Sequence, residues 1–151
     1  MAEHFATIEW EADGDFPSGR YSRAHRWRFD GGAVVPGSSS PHVVPLPMSD
    51  PAAVDPEEAL VAAASSCHML WFLHLAKDAG YEVARYRDEA RGRMGKDDRG
   101  RLAITRITLR PDIAFVGEGP DAAALARLHH AAHEQCFIAN SLRSEIVVEP
   151  L

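Results

Sequence analysis

The longest apolar stretch of the chain, DPEEALVAAASSCHMLWFLHLAKDAG from Asp55 to Gly80, carries helix signals at both ends. Asp55 suits the N-cap, Pro56 the first helical position, and Glu58 the acidic position of a capping box. Lys77 falls in the last turn and Gly80 just beyond it, where a helix stop belongs. Apolar residues occupy nearly every face in between. The pattern therefore predicts a helix buried on nearly all sides, with the rest of the chain wrapped around it.

Elsewhere the apolar positions follow shorter periods. Phe5–Trp10 alternates as a strand, and Glu11–Ser18 is rich in turn formers. In SGRYSRAHRWRFDGG, read as one strand, Arg23, His25, Trp27 and Phe29 share a face, while Arg20, Ser22, Arg26 and Arg28 take the other. An arginine directed toward the core side is unusual without a partner. Asp30-Gly31-Gly32 reads as a turn, and Ala33–Met48 as a long irregular connection holding a short strand or two. After the helix, Tyr81–Met94 reads as a strand and Gly95–Gly100 as a turn. Leu102–Phe115 follows; its apolar positions change parity between Ile104 and Ile107, which predicts a bulge, and Pro111 marks an edge or break. Gly119-Pro120-Asp121 opens a second helix that runs to about Cys136 or Phe137. Ser144–Glu149 closes the chain as a strand with Ile146 and Val148 on one face. This order predicts an α+β fold, with helices packed on antiparallel sheet.

Length and charge narrow the classes. A chain of 151 residues reads as a single domain, 1–151, large enough to bury a core. A formal net charge of −6 argues against a nucleic-acid or anionic-membrane binder. The run Ala59–Leu73 is interrupted by two serines, a cysteine and a histidine, and reads as too short and too polar to span a bilayer. The N-terminus carries no secretory pattern. The expectation is a cytoplasmic protein without membrane or nucleic-acid partners. In such a reducing compartment the two cysteines are free or catalytic thiols rather than a structural bridge.

Cys67 is the twelfth residue of the predicted helix, too far from its N-terminus for the helix dipole to activate the thiol. Two readings stay open: a small buried hydrophobe, or a reactive thiol served by an imported cation. Arg23 is the candidate cation, and His25 reads as a hydrogen-bonded structural histidine. Glu57 complements the helix dipole in the first turn. About 15 Å of helical rise separates it from Cys67, so it reaches the thiol only through a fold-back or from a partner subunit. His129, His133 and Cys136 stand at i, i+4 and i+7 on one helical face, a spacing that admits a metal reading but supplies at most three ligands. Ala63 and Ala64 lie one turn below Cys67, Leu70 and Trp71 one turn above. Space on one side and large apolar groups on the other suit an apolar substrate pocket, and core packing accounts for them equally well. No nucleotide-binding, zincin or hydrolase motif is present.

Four blocks carry a family likeness: YSRAHRWRFDGG, the Asp55–Gly80 helix with Glu57 and Cys67, YRDEARGRM, and LHHAAHEQCFIANS with Cys136. Through them the chain resembles the OsmC/Ohr family of thiol-dependent hydroperoxide reductases, on the OsmC-like side. The resemblance implies an OsmC-like fold and an intertwined homodimer. It also implies a peroxidase, an antioxidant of the oxidative stress response, acting on organic hydroperoxides and extending to hydrogen peroxide. Cys67 is then the peroxidatic thiol and Cys136 the resolving thiol, with Arg23 and Glu57 the charged pair beside Cys67. Arg23 is preferred over Arg20 by strand parity and by its distance to the Asp30-Gly31 turn. No bound cofactor or metal is implied, only an external dithiol reductant, lipoyl or other. One departure is that Phe137-Ile138-Ala139-Asn140 follows Cys136 where Ohr-type members carry a proline. The alternatives are a non-catalytic stress or redox-sensing protein of the same fold, and a metal-binding protein using His129, His133 and Cys136.

Overall fold

The computed structural model describes every residue from Met1 to Leu151. The chain, read above as one domain, divides into two units, Met1–Ala59 and Leu60–Leu151. The first unit contains β1 (Ala6–Glu9), β2 (Gly14–Asp15), β3 (Arg20–Tyr21), β4 (His25–Phe29) and β5 (Val34–Gly37). An antiparallel sheet runs β1-β4-β5, and β2 pairs with β3 in a separate hairpin. At the base of that hairpin Gly14 has φ +91°, and a Cβ there would lie 2.5 Å from the Arg20 carbonyl oxygen, so only glycine fits.

The strand expected over Arg20–Phe29 is broken in two. Its halves pair with different partners, so the chain bends at Ser22–Ala24 between the hairpin and the larger sheet. Arg23 lies in that bend, where its N–H donates to the Met48 carbonyl at 2.8 Å. The face shared with Trp27 is therefore not set by strand parity.

Helix α1 (Pro56–Asp78) starts as its end signals require. The Glu58 N–H donates to Asp55 Oδ1 at 2.7 Å and the Asp55 N–H donates to Glu58 Oε2 at 3.2 Å, a complete capping box. At the far end Gly80 has φ +86°, its N–H donates to the Lys77 carbonyl, and the Tyr81 N–H donates to the Ala76 carbonyl. That is a Schellman stop.

Burial of α1 departs from the expectation. Only Ala64, His68, Phe72 and Ala76 are buried, a single i, i+4 stripe. Leu70 is 61% exposed. The helix therefore packs by one edge and leaves a second apolar stripe open. At 23 residues it is also, by length and composition, long and apolar enough to cross a bilayer. This corrects the reading of Ala59–Leu73 as too short, because the helix extends well past that run. The buried stripe nonetheless packs into a core, through Ala64, Phe72 and Ala76.

The second unit adds β6 (Val83–Asp88), β7 (Arg91–Lys96), β8 (Leu102–Leu109), β9 (Pro111–Phe115), α2 (Ala122–Gln135), α3 (Phe137–Ser141) and β10 (Glu145–Val148). β6 pairs antiparallel with β9, and a three-stranded sheet runs β10-β8-β7. Arg93 faces Arg106 while Met94 faces Ile104, so Thr105 is the extra residue of a bulge, as the parity change predicts. The α+β class holds, with a third helix added. One pairing differs from the expected antiparallel sheet: β10 runs parallel to β8, with Ile146 opposite Ile107 and Val148 opposite Leu109. The segment through α2 and α3 supplies the crossover that a parallel pair needs.

Two cores form in this unit. Ala64, Ile107 and Leu109 pack with Val61, Ile138, Leu142 and Ile146. Phe72, Ala76 and Ala132 pack with Tyr86, Ile113, Leu125 and Leu128. Phe72 is fully buried. Phe72→Ala is expected to cost about 3–5 kcal/mol, the range for emptying a large buried aromatic. Urea denaturation checks this, and a loss under about 1 kcal/mol would mean the cavity closes up.

Candidate active site

In the second unit the two cysteines come together. Cys67 is half-buried on α1, Cys136 is buried, and both are free thiols. The second helix ends one residue earlier than its pattern suggests, and Cys136 forms the corner between α2 and α3. There it is both the C-cap of α2 and the N-cap of α3, and its Sγ accepts the Ala139 N–H at 3.4 Å. Burial, followed by the neighbouring Cys67 thiol, pushes the Cys136 thiol up to about 11. Cys136 therefore keeps its proton at neutral pH.

This corner removes Cys136 from the helical face it was expected to share with His129 and His133. No three ligating side chains converge to hold a metal ion, which overturns the His129, His133 and Cys136 set.

The predicted substrate residues separate by face. Ala64 belongs to the buried stripe and packs on Ile107 and Leu109. Ala63 lies four residues before Cys67 and Trp71 four after, so those three share a side of α1. The Trp71 ring meets that of Phe137 edge-on at 5.5 Å, which connects α1 to α3 next to the cysteine corner. Leu70 stays exposed.

Arg23 and Glu57 belong to the first unit, where both line a cavity of about 410 Å³ together with Trp10, Phe16, Tyr21 and Ser39. The Arg23 guanidinium does not form the expected pair with a carboxylate. Its Nη1 donates to the carbonyls of Gly19 at 3.1 Å and Tyr21 at 2.5 Å, and its carbon sits 3.5 Å from the Tyr21 ring centroid. Arg20 is engaged differently. It is bonded to Asp15 at 2.9 Å, is largely exposed, and faces another hollow beside Pro47 and Met48. Of the two arginines, Arg23 shares the cavity with Glu57.

His25 is structural, as expected. Its Nε2 accepts the Trp27 indole N–H at 2.7 Å, which leaves Nδ1–H to donate to the Arg23 carbonyl at 2.8 Å. Both ring nitrogens are thereby used. A Cβ on Gly37 would lie 2.5 Å from His25 Nε2 and from Trp27 Nε1, so the bare backbone makes this arrangement possible.

Two features escaped the sequence reading. Trp10, Phe16 and Tyr21 form a mutually packed aromatic trio with centroids 4.6–5.7 Å apart. The turn-rich Glu11–Ser18 segment, closing as a hairpin, was the available signal. The second is a buried imidazole pair, in which His68 Nε2 lies 3.0 Å from His129 Nδ1 with the rings stacked. Position His68 on the Ala64–Phe72 stripe was its only trace.

Burial, reinforced by the neighbouring His129 and His133, pushes His68 down to about 4; burial does the same to His129. As pH falls the unfolded chain, with ordinary histidines near 6.5, takes up protons first. Stability is thus expected to be complete above about pH 6.5 and to decline progressively toward pH 4. Urea midpoints measured from about pH 7 to about pH 5 test this, with a flatter profile expected for a His68→Leu/His129→Leu variant. Parallel profiles would assign the decline to other groups.

The family model described as OsmC-like protein matches residues 49–150. An OsmC-like protein of unknown function from Vibrio cholerae is 49% identical, covers 100% of each chain and superposes with a TM-score of 0.98. The chain belongs to the OsmC-like family. Two other structures share the family fold at lower identity. The organic hydroperoxide resistance protein from Elizabethkingia anophelis is 19% identical, with a TM-score of 0.70 and coverage of 99% of this chain and 94% of its own. The organic hydroperoxide resistance protein OhrB of Bacillus subtilis is 21% identical, with a TM-score of 0.67 and coverage of 97% and 98%. No curated protein matches.

Proposed function

We propose that this OsmC-like protein is a thiol-dependent peroxidase that reduces organic hydroperoxides to alcohols. The observation that carries the reading is the meeting of its only two cysteines, with Cys67 close enough to perturb the buried Cys136 thiol. The Cys67 thiolate attacks the hydroperoxide; an S–O bond forms, the O–O bond breaks, and the alkoxide takes a proton to leave as an alcohol. Cys136 then attacks the resulting sulfenic acid, the S–S bond forms, and hydroxide leaves with the Cys136 proton as water. An external dithiol, lipoyl or other, returns the pair to thiols by exchange.

In this proposal Arg23 supplies the cation that favours the thiolate, and Glu57 positions it. Support comes from the Arg23 guanidinium having no carboxylate partner, and from the apolar, aromatic cavity it shares with Glu57. We further propose a homodimer. The open stripe on α1, with Ala62, Ala63, Ser66 and Leu70 all exposed, is the kind of apolar face that a second copy covers.

One equivalent of cumene hydroperoxide, followed by intact mass and peptide mapping, tests the reading. The expected product is a Cys67–Cys136 disulfide with release of the alcohol. Unmodified thiols at excess peroxide would overturn it.

A further inference from the structure

A second cavity, of about 300 Å³, lies in the second unit between α2 and the C-terminal strand. The α2 wall carries the imidazoles of His129, His130 and His133 beside Ala126; the facing wall is apolar, from Ile146 and Val148. His129 is only 4% exposed. Its Nδ1 is used by His68, whereas its Nε2 has no hydrogen-bond partner, and neither does Nδ1 of His133. Unpaired buried nitrogens of this kind are costly to keep, and native structures hold few of them without a ligand or a role.

The chemistry of the walls selects the ligand. An anion needs positive charge, but burial holds His68 and His129 neutral at pH 7, and His130 faces the Glu134 carboxylate at 3.4 Å. A metal ion needs converging ligands, and no group of three is placed to supply them. A neutral hydroxyl fits. The His68–His129 bond holds a single hydrogen, so His129 Nε2 is a lone pair if His129 donates and an N–H if His68 donates. A hydroxyl group answers either state, because it both donates and accepts. The hydrocarbon wall then takes the apolar body, in the mix of apolar lining and few polar groups common to small-molecule sites.

We propose that this cavity is a second small-molecule site, taking a neutral alcohol or phenol with its hydroxyl at His129 Nε2 and its hydrocarbon part against Ile146 and Val148. The site stands apart from the thiol chemistry and does not rest on the peroxidase reading.

Phenol is the probe, titrated into the reduced, full-length Cys67→Ser protein with the histidine ring nitrogens followed by NMR. That background keeps the outcome independent of any peroxide reaction. The expected result is a saturable shift of the His129 and His68 ring nitrogens, with anisole binding at least about tenfold weaker and benzoate not binding. His129→Leu risks the fold, so Ala126→Phe fills the cavity from an exposed position on α2. It is expected to weaken phenol binding at least about tenfold while the thermal melt stays unchanged. The absence of a saturable shift would overturn the proposal. So would benzoate binding as tightly as phenol, or phenol binding that survives Ala126→Phe.

Discussion

Cys67→Ser is expected to end hydroperoxide consumption, a loss of more than about 10³-fold, whereas Cys136→Ser is expected to consume one equivalent and stop. The two outcomes differ because the cysteines occupy different environments. Cys67 is half-buried on a continuous helix, where a peroxide can reach it. Cys136 is fully buried at a helix corner and keeps its proton, which suits a thiol that waits for the oxidised partner. Without it, the sulfenic acid at Cys67 has no nearby thiol and accumulates as a mass gain of one oxygen. Serine at position 67 offers an alcohol that does not ionise at neutral pH, so the chemical step has no nucleophile. Continued turnover by Cys67→Ser would show that the peroxide reacts elsewhere. Full turnover by Cys136→Ser would remove the resolving step.

Arg23→Met is expected to slow Cys67 oxidation by roughly 10²-fold, the scale of losing one preorganised electrostatic group. Stability should change far less, by about 1 kcal/mol, because Arg23 contributes one cation–π contact and two bonds to backbone carbonyls at a partly open site. Arg20→Met is the control. Its guanidinium is already bonded to Asp15 and 76% exposed, so the oxidation rate should stay at the wild-type value. Stopped-flow oxidation and urea denaturation, performed on both variants, separate the two effects. Equal rates in wild type and Arg23→Met would make Arg23 a structural residue of the hairpin bend.

Local chemistry was readable because each device is closed within a few residues. The Asp55–Glu58 capping box and the Asp121 cap of α2, whose Oδ1 accepts the Ala124 N–H at 2.7 Å, both appear where their patterns stand. The Thr105 bulge follows from the parity of β8 alone. The fully used ring of His25 also matched its reading, with Trp27, two residues along the same strand face, as its partner.

Other features depend on partners far away in the chain. Parity placed Arg23 beside Trp27, but strand pairing splits that segment between two sheets, and pairing is non-local. The apolar run of α1 predicted burial on all sides, yet the chain offers it only enough neighbours for the Ala64–His68–Phe72–Ala76 edge. The helical periodicity that grouped Cys136 with His129 and His133 ended one residue too early for that set to form.

The central helix therefore divides the account. Sequence by itself determined that the stretch between Asp55 and Gly80 holds a helix, where it starts and stops, and that Cys67 sits too deep in it to be activated by the helix's own dipole, since caps, propensity and rise per residue are local properties. Only the tertiary structure decided which edge of that helix is buried, that Cys136 turns out of α2 onto Cys67, and that His68 pairs with His129, because these depend on which distant elements pack together.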